Sequence, residues 1–171
     1  MEISFQLLQQ HNPWWFREEV IQDDEKIAEY EGSAYRYVPP ILKDYPKDTH
    51  AILTLRGPRQ VGKSTSMKLL IRQLLLDRKV PKKHVFYFWV DRIEDFDQLY
   101  ELIDCYLKHI KPTLPKPLHI FLDEISFVRE WQRAVKALAD EGKLKNVTML
   151  LTGSNLLDLG EGAERMPGRR G

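Results

Sequence analysis

The chain has 171 residues, enough for one domain with a core that needs no disulfide. Its 43% hydrophobic and 30% charged content is ordinary for a globular protein, and the single cysteine, Cys105, excludes an internal disulfide. The net charge of +1 points neither toward nor away from nucleic acid, but residues 1–50 carry −5 and the remainder +6, so a polyanion would prefer the second part.

The opening "MEISFQLLQQHNPWW" lacks the basic start and long apolar stretch of a secretory signal. The longest apolar run, "VFYFWV", is far below the ~20 residues of a membrane span. A cytoplasmic protein is expected. Residues 1–50 form an N-terminal extension packed on the main domain: an aromatic-rich helix and arm, a short acidic segment "DDEKIAEYEG", and an extended connector rich in proline. Trp14 and Trp15 fit burial on the core better than a partner-binding patch.

From residue 51 strands and helices alternate. "AILTL" is a buried strand ending at Gly57. "KSTSMKLLIRQLLLD" is a helix apolar over most of its circumference, which places it between the sheet and other elements. "HVFYFWV" is a second strand. The next helix carries Phe96, Leu99, Ile103, Tyr106 and Ile110 at helical spacing and includes Cys105, a semi-buried thiol with nothing placed to activate it. Prolines follow, then a third strand, "LHIFL". A helix with Val128, Trp131, Val135, Leu138 and Ala139 on one face stops near Gly142. "VTMLLT" is a fourth strand. This order implies an α/β fold: an open parallel sheet with helices on both faces and ligands at the carboxyl ends of its strands.

The first strand runs into "GPRQVGKS", a complete G-x-x-x-x-G-K-[ST] phosphate loop. Gly57 and Gly62 permit the tight turn and close approach of backbone to phosphate. Pro58, Arg59, Gln60 and Val61 complete the turn, whose N–H groups form an anion nest backed by the helix dipole. Lys63 brings a flexible charge to the β and γ phosphates, Ser64 offers a hard oxygen to Mg²⁺, and Thr65 follows in the first turn of the helix. The third strand ends at Asp123 and Glu124. Two carboxylates after a buried strand need a cation or hydrogen bonds, or else simply begin the next helix. With a phosphate loop upstream, Asp123 is expected to hold Mg²⁺ through water and Glu124 to activate the attacking water. The fourth strand runs into "TGSN", where Asn155, or Ser154, is placed to sense the γ-phosphate; an ordinary turn is the competing reading. Asp91 and Arg92, after the second strand, read as a solvated strand end.

No N/T-K-x-D pattern for guanine is present, so ATP is the expected nucleotide. A whole strand separates the phosphate-loop strand from the acidic strand, which resembles the P-loop ATPases with an additional strand in the sheet. More closely, "LRGPRQVGKST", "IFLDEI…EWQRAVKALADEG", "LLTGSNLLDLG" and "GRRG", in this order, resemble the AAA-related ATPase domain of a family of bacterial and archaeal predicted ATPases. The resemblance covers residues ~51–171; an N-terminal "NPWW" also fits. It implies strand order 2-3-4-1, a fifth strand beyond the first that this chain lacks, and a C-terminal domain of obscure function. Residues 51–171 would then be a core truncated at its C-terminal end. It also makes Arg169 and Arg170 candidates for an arginine finger or γ-phosphate sensor, acting across a homo-oligomer interface, with a solvated basic loop as the plainer reading.

Three functions compete. The first is hydrolysis of ATP to ADP and phosphate with Mg²⁺, coupled to conformational change or assembly. The second is an ATP-dependent binding switch for DNA or protein with little or no turnover. The third is a small-molecule kinase, against which the adjacent acids favour water as the acceptor.

Overall fold

The computed structural model describes residues 1–46, 50–56, 62–110 and 116–153. Its centre is a parallel sheet of β1 (Ala51–Arg56), β2 (Val85–Trp89), β3 (Leu118–Asp123) and β4 (Val147–Gly153), in the order β1-β4-β3-β2. This is the order that the family resemblance implies. Every residue of β3 and β4 is buried, as expected of inner strands covered on both faces. β1 is partly exposed toward its carboxyl end and pairs, among the described residues, with β4 alone.

The crossovers fix the layers. From β1, α4 (Lys63–Arg72) leads across the sheet to β2, whereas α5 (Phe96–His109) and α6 (Trp131–Asp140) lead back through β3 to β4. Right-handed crossovers running in opposite directions put α4 on one face and α5 with α6 on the other. The contacts agree: α5 packs on α6, while α4 packs on α2 (Glu25–Glu31) and α3 (Ile41–Asp44), both from the first fifty residues. That second layer explains why α4 is apolar nearly all round, with Met67, Leu69, Leu70 and Ile71 buried.

Local signals set the helix ends. Asp95 caps α5, its side chain accepting from the Gln98 N–H at 3.2 Å. Gly142 sits just beyond α6 with φ of 76°, a conformation that glycine adopts without the steric cost of a Cβ, and the N–H of Lys143 closes back on the Leu138 carbonyl at 3.0 Å. Of the face read for α6, Trp131, Val135 and Leu138 are buried; Val128 is buried just ahead of the helix and Ala139 is half-buried.

The N-terminal residues hold the outer edge of β2. After α1 (Phe5–His11), the buried Asn12 side chain donates to the Tyr87 carbonyl at 3.0 Å and accepts from the Tyr87 N–H at 2.7 Å, as a neighbouring strand would. The indole N–H groups of Trp14 and Trp15 both donate to the Val85 carbonyl, at 3.0 and 2.8 Å. Both tryptophans are buried, so neither is a free partner patch.

Candidate nucleotide site

Asp123, Glu124, Thr152 and the entry to α4 all belong to the carboxyl edge of the sheet. β4 lies between β1 and β3, with Arg56 level with Gly153 and Leu122 level with Leu151. The ends of β1 and β3 are thus separated by two strand spacings, roughly 10 Å. Gly57, Pro58, Arg59, Gln60 and Val61, as well as Ser154, Asn155, Arg169 and Arg170, lie outside the described residues. Of the phosphate loop, the described part begins at Gly62, whose φ of 79° is left-handed and favours glycine on backbone grounds alone. Lys63, the first residue of α4, is buried; Ser64 and Thr65 are half-buried.

The acidic end of β3 is held by a compact hydrogen-bond set. Asp123, 2% exposed, accepts from the Thr152 hydroxyl at 2.5 Å on Oδ1 and from the Tyr87 hydroxyl at 3.0 Å on Oδ2. The same Thr152 oxygen accepts the Glu124 N–H at 3.0 Å. One hydroxyl therefore ties the two acids to the neighbouring strand. Burial first, and then the Asp123 charge, pushes the Tyr87 hydroxyl far above its ordinary range, so it remains a proton donor.

Glu124 departs from regular backbone. Its φ and ψ of 61° and 46° are left-handed, a conformation that costs a non-glycine residue about 1–2 kcal/mol. Burial of Ile125 in the turn that follows, and the bond to Thr152, hold it there. Its Oε2 is shut off from solvent and has no hydrogen-bond partner among the described residues. An orphaned carboxylate oxygen in a strained residue is costly to keep and is the pattern found at functional positions.

Two further groups join α4 to this set. The Lys68 ammonium lies 3.9 Å from the centre of the Tyr87 ring and pairs with Asp24 at 2.8 Å. On the outer side of α4, Gly62, Thr65 and Ser66 share a groove of about 270 Å³ with Tyr30, Tyr35 and Tyr37 of the N-terminal residues. Sequence reading missed Thr152, Tyr87 and Lys68. None of the three carries a local signal; Thr152 stands out only once the β3–β4 register is known, which brings its hydroxyl to Asp123. Cys105 is half-buried, and burial, then Glu101 and Asp104, raises its thiol pKa, the opposite of an activated nucleophile.

The family model described as AAA domain matches residues 49–171, most of the chain. The chain belongs to the AAA domain family. As an AAA domain it is a nucleotide-binding domain of the ATPase type. An uncharacterized protein of Haemophilus influenzae is 30% identical over 132 residues, covering 72% of this chain and 30% of that protein. The crystal structure of Cdc6p from Pyrobaculum aerophilum overlaps 88% of this chain and 41% of its own, with 15% identity and a TM-score of 0.43. The AAA domain chain thus spans less than half the length of either. Among its described residues, no helix is long and apolar enough to cross a membrane.

Proposed function

We propose that this AAA domain binds ATP with Mg²⁺ and hydrolyses it to ADP and phosphate, driving a conformational change or an assembly step. The observation that carries this reading is Glu124: a strained residue with an unpartnered carboxylate oxygen, tied through Thr152 to the buried Asp123 at the edge where the phosphate loop enters α4. Lys63 takes the β and γ phosphates, with the loop N–H groups of residues 57–62 around them. Mg²⁺ fits the donors, because the Ser64 hydroxyl and the Asp123 carboxylate are hard oxygens. Among the described residues each Asp123 oxygen accepts one side-chain hydrogen bond and retains further acceptor capacity. Such an ion would be held by one carboxylate, one hydroxyl and the substrate's own phosphates. The ion supplies charge stabilisation for phosphoryl transfer when bound. Glu124 orients the attacking water and takes its proton, Asn155 or Ser154 contacts the γ-phosphate, and Arg169 or Arg170 reaches a neighbouring copy. The tyrosine groove beside Thr65 accepts the adenine ring by stacking. The lone cysteine accords with work in the cytoplasm.

Glu124→Gln tests the assignment: ATP binding should persist and phosphate release should stop. Unchanged hydrolysis removes Glu124 from the role. One observation favours the second reading, an ATP-dependent switch for a DNA or protein partner: the Glu124 Oε2 is closed to solvent, so that oxygen takes no proton from water in this arrangement. Heat stabilisation by ATP with no phosphate release at any protein concentration would select the switch.

A further inference from the structure

A second, basic cavity lies at the amino edge of the sheet, opposite the carboxyl end of β3 that leads into Glu124. It has a volume of about 350 Å³ and sits between the turn after α4 and the start of β3. We propose that it binds a small phosphate-bearing molecule, the phosphoryl group held by Arg78, Lys79 and Lys116. Among the described residues these three cations line the cavity and no carboxylate does.

The Arg78 guanidinium is only half satisfied. Its Nη2 donates to the Leu42 carbonyl at 3.4 Å and its charge lies 5.9 Å from the Tyr45 ring, but Nη1 is shut off from solvent with no partner among the described residues. A buried charged donor without an acceptor is costly, and a phosphate oxygen is the acceptor whose geometry suits the guanidinium fork.

The backbone presents these groups by an irregular route. α4 ends in a π-helical turn, Gln73–Asp77, closed by the Val80 N–H on the Leu74 carbonyl at 2.9 Å. Lys79 then takes a left-handed φ of 54°. Such π turns recur at functional positions. His119 forms part of the wall, 2% exposed and bound through Nδ1 to the Tyr45 hydroxyl at 2.7 Å. Burial, then His84 and Arg78, lowers its pKa to about 4, so it is neutral at physiological pH and adds no charge to that of the three cations. Leu74 and Val80 give an apolar surface for the body of the ligand. The volume lies within the range of small-molecule pockets, roughly 300–1,000 Å³. The proposal is independent of how Glu124 acts.

Phenyl phosphate, with one phosphoryl group and an apolar ring, is the probe. It is titrated by calorimetry and by the His119 ring resonances into the chain carrying Lys63→Ala, which silences the phosphate loop. Saturable millimolar or tighter binding that shifts His119 is expected. Lys79 and Lys116 are exposed, so the double variant Lys79→Ala, Lys116→Ala is expected to fold, and it should bind about tenfold or more weakly, a loss of at least ~1.4 kcal/mol. Absence of saturable binding overturns the proposal, as does unchanged affinity in both the double variant and Arg78→Met. A short DNA duplex that shifts His119 where phenyl phosphate does not would also overturn it.

Discussion

Thr152 carries more of the site than either acid alone, because its one hydroxyl donates to Asp123 and accepts from the Glu124 backbone. Thr152→Val keeps the shape and removes both bonds. It should destabilise the fold by about 1–3 kcal/mol in urea denaturation, and Thr152→Ser should recover most of the loss. Equal stability in the Val and wild-type chains would refute this role. The acids themselves were legible, since a carboxylate pair ending an apolar run is conspicuous. Thr152 was not, because a β-branched hydroxyl closing a strand reads as ordinary strand composition until pairing places it beside Asp123. His119 makes a prediction on pH. Its folded pKa of about 4 lies below the ordinary 6.5, so the fold favours the neutral ring. The stability it contributes is complete above pH 6.5, falls as pH drops toward 4, and levels off below. At ~1.4 kcal/mol per unit the loss is about 3 kcal/mol. His119→Gln should flatten the slope of stability against pH between 6.5 and 4. Burial also lowers the pKa of His11 and His84, so a smaller slope persists. An unchanged slope would exclude His119 as the source.

At the scale of elements, the N-terminal arm acts on β2 as a substitute strand. Asn12 satisfies both backbone groups of Tyr87, and two indoles share the Val85 carbonyl, which has two lone pairs to offer. An uncovered strand edge is a template for aggregation, and this edge is covered by side chains. Asn12→Leu leaves the Tyr87 N–H and carbonyl without that partner in a buried setting. A loss of roughly 2–4 kcal/mol in chemical denaturation is expected, with increased light scattering on heating. A loss below ~0.5 kcal/mol, the scale of an ordinary surface change, would contradict it. The alternation of strands and helices from residue 51 was readable from hydrophobic periodicity, and the aromatic content of "NPWW" signalled burial. What it covers was not readable, because a bond from Trp15 to Val85 spans 70 positions and leaves no local trace. The Gln73–Asp77 π turn was equally hidden, since its residues fit a regular helix.

For the whole molecule, the order β1-β4-β3-β2 matters because β4, last in sequence, enters between the strand that feeds the phosphate loop and the strand that ends in the acids. Ligands of such sheets bind at the carboxyl edge, where the crossover direction reverses. ATP with Mg²⁺ should therefore stabilise the folded chain by mass action, about 2.7 kcal/mol at a hundredfold excess over Kd, and Lys63→Ala should abolish the rise in Tm. An equal rise in the variant would place the nucleotide elsewhere. The most direct measurement is the identity of the nucleotide retained after γ-labelled ATP and Mg²⁺ are incubated with wild-type chain and with Glu124→Gln. Bound ADP and free phosphate from the wild type, with intact ATP held by the variant, are predicted. Intact ATP on both, or ADP on both, would contradict Glu124 as the group that activates water.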